Sequence, residues 1–124
     1  MDAYQEEVAL LKALSHPLRL AVLEALREGE ACVCHLMALF GCRQAYISQQ
    51  LMVLRSVGLL ADRREGMNVY YRVVRPEIYS LIDALHQVAQ ADPRVSIPEV
   101  IPVCTCPRCQ RRAGKPFSEG EIGL

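Results

Sequence analysis

Six cysteines are unevenly spread along this chain, and their spacing carries its most distinctive chemistry. Cys32-Val33-Cys34 stands in the first third, and Cys104-Thr105-Cys106-Pro107-Arg108-Cys109 stands near the end. Thiolates are soft ligands that select thiophilic ions over hard cations. In an oxidising compartment so many cysteines would read as disulfides, whereas in a reducing cytoplasm the same C-x-C and C-x-x-C spacing reads as metal or redox chemistry. Three uses stay open: a responsive ion site, a permanent zinc held by four thiolates, or a redox pair at Cys106 and Cys109 with Arg108 activating a thiol. Cys42 stands apart and reads as a small buried hydrophobe.

Other chemistries are excluded by what the residues do not form. No nucleophile with a base and an orienting acid, no phosphate-cradling glycine loop and no paired catalytic carboxylates occur, so the chain is not expected to be an enzyme. The start Met1-Asp2-Ala3-Tyr4-Gln5-Glu6-Glu7 is acidic where a signal peptide is basic, and apolar runs such as 36–40 fall far short of the ~20 residues that span a bilayer. A cytoplasmic protein without membrane contact is expected. Basic and acidic residues balance at 14 each, yet Arg43, Arg55, Arg63, Arg64, Arg72 and Arg75 face only Asp62 and Glu65 in their stretch. Positive charge is therefore local, as a specific nucleic-acid face requires.

The elements that position these groups follow from periodicity and stops. The spacing of Tyr4, Val8, Leu11 and Leu14 predicts a first helix capped by Asp2 and ending near Leu14. Ser15 reads as the N-cap of a second helix, with Pro17 in its first turn, Leu18, Val22, Ala25 and Leu26 on one face, and Gly29 at its end. A short third helix over Cys32–Phe40 stops at Gly41. A fourth runs from Arg43 to Val57, turns Ile47, Leu51 and Leu54 inward, and stops at Gly58.

Short helix, glycine turn and longer helix form the helix-turn-helix pattern, and Arg43, Gln44, Tyr46, Ser48, Gln49 and Gln50 are expected on the face that reads DNA. Residues 60–73 alternate about a Glu65-Gly66 turn and read as a β-hairpin wing, offering Arg63, Arg64, Asn68 and Arg72 to flanking phosphates. Pro76 opens a fifth helix whose Ile78, Leu81, Ile82, Leu85 and Val88 form an apolar stripe.

The expected fold is mainly α with a β-hairpin, a winged helix-turn-helix. Val8 and Leu11 of the first helix, with Ile78, Leu81, Ile82 and Leu85 of the last, are expected to form a homodimer interface. Residues 1–92 are read as the DNA-binding and dimerisation domain, and 93–124 as an extended, proline-interrupted, cysteine-bearing tail.

Leu14-Ser15-His16-Pro17-Leu18-Arg19-Leu20, Cys32-Val33-Cys34-His35-Leu36, Ile47-Ser48-Gln49-Gln50-Leu51, Gly58-Leu59-Leu60, Arg64-Glu65-Gly66 and Tyr70-Tyr71 resemble the ArsR/SmtB family of metal-responsive repressors. The resemblance implies a homodimer that occupies operator DNA and leaves it when a metal or metalloid binds. The family's Cys-Val-Cys box maps onto Cys32 and Cys34. Arsenite sensors of the best-known type carry a third cysteine where this chain has Met37, so the further donor is expected from Cys104, Cys106 or Cys109. The family's zinc sensors use Asp and His pairs on the last helix, of which Asp83 and His86 make only a partial set.

As(III) is the expected inducer, with Sb(III), Cd²⁺, Pb²⁺ and Zn²⁺ as alternatives. A redox- or persulfide-responsive dithiol repressor is the rival reading. Because residues i and i+2 of a regular helix diverge, Cys32 and Cys34 are expected to share an ion only at a loosened helix start, and binding is expected to distort that helix. His35 is expected at the surface or behind a ligand, and His16 in a structural role.

Overall fold

The predicted stripes and stops build five helices and a three-stranded antiparallel sheet in a computed structural model that describes residues 2–90. A 3-10 turn over Asp2–Tyr4 leads into α1 (Gln5–Leu14), then α2 (Pro17–Ala25), β1 (Ala31–Cys32), α3 (Val33–Phe40), α4 (Gln44–Ser56), β2 (Leu60–Glu65), β3 (Asn68–Val73) and α5 (Ile78–Ala89). The strand order is β1-β3-β2. Leu23, Leu36, Ile47, Leu51, Leu54 and Ile82 are among the core residues with no measurable exposure, so α2 to α5 share one interior. The expected tail, with Cys104, Cys106 and Cys109, lies outside the described residues.

Caps and turns adjust several expected boundaries. The N-cap of α1 is Tyr4 rather than Asp2. Ser15 does not cap α2, because its hydroxyl turns back to donate to Lys12 O at 2.8 Å. His16 caps instead: its Nδ1 accepts from the Leu18 N–H at 3.1 Å. α2 stops at Ala25, four residues before Gly29, as the Arg27 N–H turns to Glu24 O at 3.2 Å. Gly41, at φ 65°, ends α3 in the left-handed region and sends its N–H to Met37 O at 2.8 Å, which makes the sharp turn into α4.

The hairpin's two-residue turn is Gly66-Met67, one position later than expected, since Glu65 pairs with Asn68. Gly66 takes φ 62°, the positive value that a tight hairpin turn demands. Leu59 O accepts from the Val74 N–H at 2.9 Å and closes the hairpin's base.

Part of the expected dimer interface is interior. Ile78 and Ile82 are 6% and 0% exposed and pack in the chain's own core, because α5 docks on α2 along that side; Tyr79 donates its hydroxyl to Leu23 O at 2.6 Å there. Val8, Leu11, Leu81 and Leu85 stay exposed, together with Tyr4 and Val88. The apolar stripe of α5 thus divides into an inner edge and an outer edge.

Candidate nucleic-acid interface and dithiol site

Cys32 holds three positions at once. It ends β1, where it pairs with Tyr70 of β3; it is the extended N-cap of α3, at φ −79° and ψ 159°; and its sulfur accepts from the His35 N–H at 3.2 Å. Being outside the helical conformation, it can turn its sulfur toward Cys34 in the first turn, and the two Sγ atoms stand 2.7 Å apart. That is longer than the disulfide bond of about 2.05 Å, and neither cysteine is in a disulfide. The sulfurs meet at a loosened helix start, as expected, because the first of them is the N-cap and not in the helix.

Burial separates these cysteines from ordinary surface thiols. Cys32 is 1% exposed, Cys34 is half-buried, and both pack on Tyr70. His35, expected at the surface or behind a ligand, is buried. Cys42, as expected, is half-buried against the main core. Across β3 from Cys32 stands Arg63, the cross-strand partner of Tyr70, with its guanidinium 4.5 Å from the centre of that ring. Dithiol, Tyr70 and wing are thus in continuous contact.

The helix-turn-helix is α3, the Gly41 turn and α4. Arg43, Gln44, Tyr46 and Gln49 are exposed on α4's outer side and Ser48 is half-buried. Gln50 is corrected: it is 6% exposed and its Oε1 accepts from Arg19 Nη1 at 2.9 Å, since it lies on the inward side with Ile47 and Leu54. The outer face also carries Ala45 and Met52, which line a shallow groove with Ser48 and Gln49. The sequence reading missed these two; their signal was the i, i+4, i+7 spacing of 45, 49 and 52. Apolar groups among hydrogen-bonding ones suit a major groove in which thymine presents a methyl group.

In the wing, Arg64 and Arg72 are exposed, and Asn68 is half-buried beside the tip. Arg63 is exposed but engaged, donating to both carboxylate oxygens of Glu30 and to Glu65. These hydrogen bonds hold its guanidinium firmly charged. Arg64 pairs with no acid among the described residues.

Residues 16–62 match the profile of bacterial regulatory proteins of the arsR family. The chain is 42% identical over 89 residues to a biofilm growth-associated repressor of Agrobacterium fabrum, covering 71% of this chain and 76% of that protein. It is 44% identical over 80 residues to an arsenic resistance transcriptional regulator, ArsR2, of Pseudomonas putida, covering 64% and 69%. A solution structure of a homodimeric winged helix-turn-helix DNA-binding domain from Mycobacterium bovis superposes with a TM-score of 0.65 at 30% identity, covering 72% of this chain and 82% of that one.

The chain belongs to the ArsR/SmtB family. It is a DNA-binding transcriptional regulator and not an enzyme. No helix among the described residues is long and apolar enough to cross a membrane.

In this ArsR/SmtB chain the acid and histidine of the last helix do come together, joined by a residue from α2. Ligand atoms of Glu24, Asp83 and His86 lie within 4.8 Å of one another. Arg27 already supplies the cation there: it reaches Glu24 at 2.7 and 3.1 Å and Asp83 at 2.8 and 3.3 Å, while His86 Nε2 stands 3.1 Å from Glu24. Burial alone would raise the Glu24 carboxyl, but the bonds from Arg27 and His86 outweigh it and hold Glu24 below the ordinary carboxylate value. The guanidinium of Arg27 stacks 4.4 Å from the Tyr79 ring, whose hydroxyl is pushed well above its usual range by burial. The cluster is a clamp between α2 and α5.

Proposed function

We propose that this chain is a homodimeric repressor whose hold on operator DNA is released when Cys32 and Cys34 bind a thiophilic ion, As(III) first among them. The observation that carries the reading is the 2.7 Å approach of two thiol sulfurs, neither in a disulfide, at the start of the first helix of the DNA-binding motif. Two soft donors, which form no ligand cluster with a carboxylate among the described residues, fit a soft ion and suit a hard cation poorly. The third donor is assigned to Cys104, Cys106 or Cys109, because Met37 offers a thioether where a thiolate is needed. Likeness to a regulator named for arsenic resistance supports the choice of ion.

The response is carried by the chain's own contacts. Drawing the Cys32 sulfur into a ligand's grasp withdraws it from the His35 N–H and strains the pairing of Cys32 with Tyr70. Displacement then reaches the recognition helix through α3, and the wing through Tyr70 and Arg63. Dimerisation is assigned to the exposed apolar edges of α1 and α5, with Val8, Leu11, Leu81 and Leu85 at the seam, and is supported by the homodimeric relative. Outward-facing Arg43, Gln44, Tyr46, Ser48 and Gln49 read the major groove, with Arg64, Asn68 and Arg72 at the wing.

A second reading, in which the cysteines respond to oxidants or persulfides, draws on the same short sulfur–sulfur approach and on the likeness to a repressor named for biofilm growth rather than for a metal. Operator release titrated with arsenite, and separately with a mild oxidant, decides between them. For the metalloid reading, operator affinity falls about 5- to 150-fold at saturating arsenite, the usual range for coupled sites. Cys32→Ser, Cys34→Ser and truncation before Cys104 each keep DNA binding but lose the response. Release by oxidant with no response to arsenite overturns the ion assignment, and wild-type arsenite release by the truncated chain overturns the tail donors.

A further inference from the structure

The first turn of α2 and the recognition helix meet along a polar seam. Tyr46 and Gln50 lie at i and i+4 on α4, and His16 and Arg19 face them from α2. Arg19 donates to Gln50 at 2.9 Å and to Ala13 O at 2.6 Å, so the end of α1 is tied into the same seam. His16 Nε2 stands 3.2 Å from the Tyr46 hydroxyl, with the two rings tilted at 55°.

The tautomer of His16 follows from its cap. A backbone N–H only donates, so the 3.1 Å contact from Leu18 N requires a lone pair on Nδ1. A neutral imidazole then carries its proton on Nε2. Nε2–H donates to the Tyr46 oxygen, which leaves the tyrosine proton free to point away from the protein. Tyr46 is 43% exposed on the outer face of α4, so the proton points toward solvent.

We propose that His16 is a positioning residue for operator reading: by capping α2 through Nδ1 and donating through Nε2, it fixes Tyr46 as an outward hydrogen-bond donor to an acceptor atom of the operator. The proposal rests on the reading of Tyr46 as a DNA contact. Donation then turns Tyr46 toward acceptor atoms, which on an operator are phosphate oxygens, purine N7, guanine O6 and thymine O4.

The test uses the full chain and an operator duplex selected by that chain from a random sequence pool. His16→Asn keeps a side-chain oxygen able to cap α2, since Asn is a favoured N-cap, but loses the ring that reaches Tyr46. Its melting temperature is expected close to wild type, whereas His16→Ala, without a cap, melts lower. Tyr46→Phe and His16→Asn are each expected to lower operator affinity about 2- to 10-fold, and the double variant no further than the weaker of the two. Methylphosphonate, 7-deazapurine, 6-thioguanine and 4-thiothymine substitutions scanned through the operator find the acceptor: one position weakens wild type and leaves Tyr46→Phe unchanged. A methylphosphonate position assigns a phosphate, and a 7-deaza or thio position assigns a base.

Wild-type affinity in Tyr46→Phe removes Tyr46 from the DNA and overturns the reading beneath the proposal. If Tyr46→Phe binds weakly while His16→Asn binds as wild type, or if the two losses multiply in the double variant, the role of His16 alone is overturned.

Discussion

Replacing Arg27 by Met tests how α5 is held against α2. The guanidinium donates two hydrogen bonds to Glu24, which is 2% exposed, so the variant leaves a buried carboxylate with His86 as its remaining partner. Breaking a fully buried pair costs about 3 to 5 kcal/mol. Arg27 keeps 28% exposure and His86 stays in place, so the loss here falls to about 2 to 3 kcal/mol. The ion pair to Asp83, itself 57% exposed, adds little. Loss of the stacking on Tyr79 adds about 0.5 to 1 kcal/mol.

A destabilisation of about 3 kcal/mol lowers the melting temperature by roughly 15 °C in a domain of this size. Urea unfolding at one fixed protein concentration measures it, because dimerisation makes stability depend on concentration. The sign of the pH dependence follows from Glu24. Its folded value lies below the ordinary 4.5, so the clamp's contribution is fully present above that value and lost as pH falls through the folded one. The gap between wild type and variant is therefore constant near neutrality and closes in acid. A loss under about 1 kcal/mol at neutral pH, below the range set by a buried pair, or a gap that widens in acid, would refute the clamp.

The two edges of α5 separate by mutation: Leu85→Glu yields folded monomers in sedimentation, whereas Ile82→Glu, at a position with no exposure, unfolds the protomer by circular dichroism. A stable dimer of Leu85→Glu would move the interface elsewhere. Gln49→Ala weakens specific operator binding by about 1 to 3 kcal/mol, while Gln50→Ala chiefly lowers stability by about 1 kcal/mol through the lost Arg19 bond; binding isotherms and melts made side by side check the contrast. Arg64→Ala reduces the salt slope of DNA binding by about 1 per protomer, and Arg63→Ala reduces it less, since Glu30 and Glu65 already hold that charge. Equal slopes for the two variants would return Arg63 to the DNA.

The helices were legible because their apolar residues recur at helical spacing, and Gly41 marked the motif's turn plainly. β1 was not, since two residues carry no periodicity and Ala31-Cys32 pairs only because β3 lies beside it. That short strand changed the dithiol most: it puts Cys32 outside the helix. Gln50 misled through its polarity, although its position matched Ile47 and Leu54; burial is tolerated because Arg19 arrives from another helix, a contact no local pattern announces. Ser15 outranks His16 as a cap by propensity, and lost because its hydroxyl found Lys12 O first. The stripe of α5 was visible, but its division into two edges depends on how closely α2 approaches.

Because the sulfurs of Cys32 and Cys34 stand together, the proposed ion binding asks for no reordering of the chain to gather its first two donors, and preorganised donors of this kind strengthen binding without new contacts. Discrimination between ligands then falls to whatever completes the set. A chain built this way can drift in chemical preference through residues far from its DNA-reading surface, leaving the half-site it recognises unchanged. On the proposed reading, sensing and addressing become separately evolvable, joined where Cys32 ends β1 and caps α3.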